Sequence, residues 1–154
     1  MKNLMFNTND DWAGFIARIT LGIVLFPHGA QKMLGMFGGQ GFSETMNVFT
    51  THMELPWIVA FSTICIEFFG SIALIVGFAS RVWAIAFIFL FLGIIFTVHI
   101  NHGFFMNWLG NQEGEGYEYA LLIIGISFVV FINGSGKKSL DKLINSKIDF
   151  SVFK

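Results

Sequence analysis

The stretch RITLGIVLFPHGAQK, Arg18 to Lys32, decides the fold. It is apolar enough for the interior of a bilayer, yet it carries Arg18, His28 and Lys32. Ionisable groups are expensive in hydrocarbon and need a partner or a task there. At 100° per residue, Arg18, Leu25, Gly29 and Lys32 share one helix face with His28 at its edge, while Ile, Val and Phe cover the other. The charged face has to meet protein, because lipid cannot solvate it.

Composition extends this reading to the whole chain. Of 154 residues, 55% are hydrophobic, 12% are charged and 20 are phenylalanine. A soluble domain carries about 25% charged residues, and here the apolar surplus falls in long runs, as in a membrane protein. A net charge of −1 argues against a nucleic-acid partner. The lone Cys65 excludes an internal disulfide and a dithiol mechanism, and reads as a small buried residue. The opening MKNLMFNTNDDWAGF does not read as a secretory signal, since Asp10 and Asp11 precede the apolar run and no A-x-A-like site follows it.

Four hydrophobic segments stand out, at about 12–33, 57–78, 82–100 and 117–134. Each approaches the roughly 20 residues that a helical crossing requires. The expected fold is all-α: one membrane domain over 1–154, built as a four-transmembrane-helix bundle. Trp12, Trp57, Trp83 and Trp108 lie near segment ends, as interfacial aromatics do. Both termini and the turn Phe78–Arg81 fall on one side, which collects Lys2, Arg81, Lys137, Lys138, Lys142, Lys147 and Lys154; the other side has Lys32. This bias predicts cytoplasmic termini in a cytoplasmic (inner) membrane. In the first outer loop, Phe42, Met46, Phe49 and Met53 recur at helical spacing after Ser43, so 43–53 reads as a short amphipathic helix lying on the outer surface or tucked over the bundle. The second outer loop, HGFFMNWLGNQEGEG, reads as a flexible cap anchored by Phe104, Phe105 and Trp108. The cytoplasmic tail, 137–154, spaces Leu140, Leu143, Ile144 and Ile148 as a second amphipathic helix.

Partners for the charged face follow from depth. At about 1.5 Å per residue, Arg18 lies roughly 9 Å from the inner end of the first span and Glu67 roughly 15 Å from the outer end of the second. In a core about 30 Å thick these depths nearly coincide, so a buried Arg18–Glu67 ion pair is expected. The outer half holds His28, Lys32, His99, His102 and Glu118, delivered by three segments. Pro27 frees the carbonyl of Ile23 among them, and Gly22, Gly29, Gly70, Ser71 and Gly77 allow close helix approach. The candidate ligand-binding residues are His28, Lys32, Glu67, His99 and Glu118. Polar groups also glue helices by hydrogen bonds, a role that suits Arg18–Glu67 equally well; His102 fits a place at the water interface. A metal or haem on His28, His99, His102 and Glu118 is the weaker reading, because the ligands are scattered and Lys32 repels a cation.

Four blocks in order resemble the DoxX family of small four-helix membrane proteins. RITLGIVLFPHGAQKMLG resembles its first helix, with Arg18, His28-Gly29 and Lys32 in place. IEFFGSIALIVGFASR, Ile66 to Arg81, resembles its second helix. GYEYALL resembles the opening of its fourth, with Glu118 at the family glutamate, and NGSGKKSLD, Asn133 to Asp141, its closing block. Two departures are Glu54-Leu55-Pro56, where the family has a Gly-Leu-Pro turn, and Ser135, where proline is common. The resemblance implies a four-helix bundle in the cytoplasmic membrane; some members resemble subunits of thiosulfate:quinone or quinol oxidoreductases, and others are associated with quinone or oxidative-stress responses.

The leading expectation is a redox-linked membrane component that binds a quinone-like ligand in the outer half of the bundle. His28 and Lys32 would bond its carbonyls, Glu118 or Glu67 would relay protons, and Phe26, Phe104 and Phe105 would flank the ring. No Rossmann glycine fingerprint, haem-attachment motif or cysteine pair is present, so electrons would come from a partner enzyme or the substrate. The alternatives are a non-catalytic partner that stabilises or recruits an oxidoreductase, with or without homo-oligomerisation, and a small proton-coupled transporter using Glu67.

Overall fold

The structure is a computed structural model that describes residues 5–6 and 8–152. It is all-helical among the described residues, in the order α1 Trp12–Leu34, α2 Phe42–Asn47, α3 Trp57–Val76, α4 Ser80–His102, α5 Glu118–Asn133 and α6 Leu140–Val152. Lys2 and Lys154, and the side chains of Lys147 and Ile148, lie outside the described residues.

Helices α1, α3 and α4 are long and apolar enough to cross a membrane. At 16 residues α5 is shorter, rising about 24 Å. Helix α1 starts where Asp11 Oδ1 accepts from Gly14 N at 2.6 Å, a side-chain cap on an otherwise orphaned donor. It ends at Gly35, which takes the left-handed conformation at φ 71°. Helix α3 stops in the same way at Gly77, and α4 begins at Ser80, two residues before the expected start, because its first amides are capped from α6.

Helix α1 packs between α3 and α5, and α5 packs on α4. Leu21, Leu25, Leu74, Phe87, Phe91, Ile123 and Val130 form the shared core. The opposite faces expose Ile16, Ile23, Phe69, Phe96, Leu122 and Phe128, an apolar perimeter suited to lipid. Close approach of α1 to α3 depends on Gly29: a Cβ there would lie 2.6 Å from the backbone of Glu67 and Phe68.

Both expected amphipathic elements are helical. Phe42–Asn47 continues into a π-helical turn, Val48–His52, and tucks over the bundle with Met46 against Ala60 and Ile64. Among the described side chains of helix α6, Leu140 and Leu143 are exposed and Asp141 is buried.

Candidate functional site

The cationic face of α1 divides into two sites. The expected Arg18–Glu67 pair does not form. Arg18 is 1% exposed, and its guanidinium is taken up by backbone carbonyls. Nε donates to Ser135 O at 2.6 Å, Nη1 to Leu74 O and Ile75 O at 2.8 and 2.7 Å, and Nη2 to Lys137 O and Lys138 O at 3.1 and 2.7 Å. All five donors of the fork are used. The carbonyls come from the end of α3 and from the turn before α6, which close on Arg18 because Gly77 and Gly136 turn the chain at positive φ. Depth counting missed this, since it considered side-chain partners and left out helix C-terminal carbonyls, which lack intrahelical donors.

Beside Arg18, Asp141 accepts from Ala79 N at 2.6 Å and Ser80 N at 3.0 Å, and Ser135 Oγ donates to its carboxylate. Ser135 Oγ also lies 2.9 Å from Ser80 Oγ. Thus Asp141 caps α4 from another helix, and Ser135, the departure from the family pattern, adds a donor to that cap. Every donor and acceptor of this cluster has a protein partner, so its chemistry is architectural.

The opposite end of the bundle differs. A cavity of about 650 Å³ lies among α1, α3, α4 and the start of α5, within the range of small-molecule sites. Leu25, Val59, Leu90, Phe91 and Ile94 give it apolar walls, and His28, Lys32, Glu67, His99 and Tyr119 bring polar atoms to it. Lys32 Nζ is bonded to Glu67 Oε2, with side chains 24% and 5% exposed. The long Lys32 side chain reaches inward from the end of α1, as lysines do at membrane depth, and so takes the carboxylate assigned above to Arg18. His28 stands 6.3 Å from the Tyr119 ring, centroid to centroid. The Tyr119 hydroxyl is buried and has no hydrogen-bond partner among the described residues, although buried polar groups ordinarily have one.

Three π-helical turns border this cavity. Val48–His52 presents Phe49, Ile66–Gly70 presents Glu67, and Ile95–His99 presents Thr97, Val98 and His99. A π turn inserts one residue into a helix and re-aims its side chains, a distortion frequent at functional sites. Periodicity does not reveal such turns in the sequence.

Four of the five candidate ligand-binding residues, His28, Lys32, Glu67 and His99, line the cavity; Glu118 does not. Glu118 accepts from Met106 N at 2.9 Å and Trp108 Nε1 at 3.2 Å, and so holds the loop between α4 and α5. Glu115 reinforces it, its carboxylate accepting from Asn107 N and its carbonyl 2.7 Å from His99 Nδ1. Phe26 packs on Phe68 and Phe104 on Tyr117, and with Phe105 they lie off the cavity. The described residues bring no three His, Cys, Asp or Glu together as metal ligands.

Tyr119 was missed, because Leu122 and Ile123 are equally apolar and the sequence does not show which of them faces the core. Four residues on from Tyr119 is Ile123, 2% exposed, and four on from Glu118 is Leu122, 61% exposed. The core-facing stripe of α5 therefore runs through the tyrosine, while the glutamate faces the loop.

Comparison with known proteins agrees with the resemblance. The DoxX family matches residues 13–100, more than half of the chain. The chain is 30% identical over 129 residues to a Bacillus subtilis (strain 168) protein named "Putative oxidoreductase CatD", covering 84% of each. It is 29% identical over 138 residues to "Inner membrane protein YqjF" of Escherichia coli (strain K12), covering 90% of this chain and 96% of that protein. No solved structure matches significantly. With its apolar helices and the family match over most of them, this chain is a membrane protein and belongs to the DoxX family.

Proposed function

We propose that the protein is a redox-linked component of the cytoplasmic membrane and that the outer-half cavity binds a quinone-like molecule. The observation that carries this reading is a largely buried ion pair, Lys32 with Glu67, in the lining of an otherwise largely apolar cavity that Tyr119 also lines. Two donors there suit a flat apolar ring with carbonyl acceptors. A bound quinone would supply a reversible carrier of two electrons and two protons. Lys32 and Tyr119 would bond one carbonyl, Glu67 would hold Lys32 in place and exchange a proton at its carboxylate, and His28 and His99 would border the ring. Glu118 acts through the loop it holds. The CatD name, an oxidoreductase, supports the class.

The chain has one cysteine, so electrons would reach the ligand from a partner enzyme in the same membrane. A single four-crossing domain with both termini in the cytoplasm follows from the lysine bias, with the cavity in the outer half.

The test is lipid extraction and mass spectrometry on protein purified gently from its native membrane. A quinone near one per chain is expected, falling by about tenfold or more in Lys32→Met and in Tyr119→Phe, with the melting temperature retained in Tyr119→Phe and lowered in Lys32→Met, where Glu67 loses its partner. Quinone absent from the wild type, or present equally in both variants, would overturn the reading. The second reading, a non-catalytic partner, is favoured by the fully satisfied Arg18–Asp141 cluster, which needs no ligand to explain its charges. A ligand-free protein that carries down an oxidoreductase would establish it.

A further inference from the structure

We propose that the cavity opens sideways into the bilayer between α3 and α4, and that its ligand is a chain-bearing amphiphile taken from the hydrocarbon. Its hydrogen-bonding head sits at Lys32, Glu67 and Tyr119, and its apolar chain lies over Gly93. This deepens the reading above and rests on the cavity being a ligand site.

Consecutive antiparallel helices normally pack along their length, and α3 and α4 do so only in part. They touch where Gly70 meets Trp83 and Phe87, a Cβ there lying 2.8 and 3.0 Å from those rings. Beyond the π turn Ile66–Gly70 the contact thins, and the outer segment Trp57–Cys65 makes no extensive contact with α4. Two stripes face each other across the gap, Val59–Thr63–Glu67 on α3 and Phe89–Gly93–Thr97 on α4, each at four-residue spacing and all in the cavity lining.

The α4 stripe is exposed, Phe89 by 70%. That exposure lies within a 23-residue apolar span, so the medium it meets is hydrocarbon. Gly93 marks the gap. Gly29 and Gly70 are crowded by neighbouring helices, whereas a Cβ at Gly93 would meet nothing within 4 Å. Helix interiors disfavour glycine, and no close packing accounts for this one.

Met106, Trp108, Glu115 and Gly116 of the second loop, with Phe49 and Met53 of the first, also line the cavity, and Glu115 and Glu118 hold the second loop by its amides. A molecule dissolved in the bilayer meets the gap. A polar head site at Lys32, Glu67 and Tyr119 and a largely apolar exit past Val59, Phe89 and Gly93 together match a molecule with a hydrogen-bonding head and a linear chain.

The experiment uses the full chain in nanodiscs containing a phosphatidylcholine with a diazirine on its acyl chain, photolysed and mapped by peptide mass spectrometry. Cys65 and Ile66 are partly exposed, whereas Thr63 and Glu67 are buried and line the cavity, so adducts resolved to Thr63 and Glu67 themselves are the expected sign of the gap, beside those on the perimeter of α5. Gly93→Phe should cut the Thr63 and Glu67 adducts about tenfold and leave those at Phe128 and Ile132 unchanged. Thr97→Phe, one turn outward on the same stripe, should do the same and serves if the first variant folds poorly. No adduct on Thr63 or Glu67 in the wild type, or equal labelling in a folded variant, would overturn the sideways opening. Labelling without a co-purified quinone would sink the quinone reading alone; a bound quinone without labelling would sink the opening alone.

Discussion

Arg18 and Lys32 are both cations on one face of α1, and they are stabilised in opposite ways. Arg18 is held by five carbonyl dipoles with Asp141 nearby, and Lys32 by the single charge of Glu67. Removing Arg18 leaves several buried carbonyls without donors. Arg18→Met should therefore lower stability by about 3 kcal/mol or more, read as a fall in the melting temperature of detergent-solubilised protein. Asp141→Ala should cost about 2–3 kcal/mol through loss of the α4 cap, which leaves the buried amides of Ala79 and Ser80 without their acceptor. Tyr119→Phe should behave differently. Its hydroxyl has no partner among the described residues, so removing it should leave stability unchanged or raise it by up to about 1 kcal/mol. A marked destabilisation by Tyr119→Phe would show that the hydroxyl is already bonded within the protein.

At the scale of helices, two glycines separate packing from opening. A side chain at Gly29 runs into the backbone of Glu67 and Phe68, so Gly29→Ala should push α1 away from α3. The expected cost is about 1–3 kcal/mol, with the Lys32–Glu67 pair disturbed. Gly93→Ala meets open space and should stabilise α4 by about 0.5–1 kcal/mol. Thermal unfolding of the two variants side by side checks the contrast, and equal responses would refute it. Four-residue periodicity was sufficient to locate these helices. It could not locate the three π turns, because a single inserted residue leaves the apolar pattern almost intact while turning Glu67 and His99 toward the cavity.

For the molecule as a whole, the segment after α5 is part of the bundle. The carbonyls of Lys137 and Lys138 bond Arg18, and Asp141 caps α4. A chain truncated after Gly136 should fail to give a cooperative unfolding transition, whereas truncation after residue 146 should retain one. The reverse order would mean that α6 is dispensable. The exposed contact between Asp10 and Lys142 adds little by comparison. The Lys142 ammonium holds the Asp10 carboxyl below its ordinary value, so the contribution is present at neutral pH and is lost only as pH falls through that lowered value. Asp10→Asn should leave the melting temperature flat between about pH 5 and 8.

The sequence by itself determined that the chain is helical and membrane-embedded, which segments are apolar and which ionisable residues lie among them, because hydropathy and helical period are local properties. It also located His28, Lys32, Glu67 and His99, since a charge in an apolar run is visible without any fold. Only the tertiary structure decided which charge meets which. Arg18 found carbonyls because two glycine turns bring helix ends beside it; Lys32 reached Glu67 because its side chain extends past a turn of α1. Asp141, Tyr119 and Gly93 acquired their places in the same way. Each owes its environment to a segment far away in the chain, and a side chain's partners are set by which helix faces meet, which spacing along one helix does not specify.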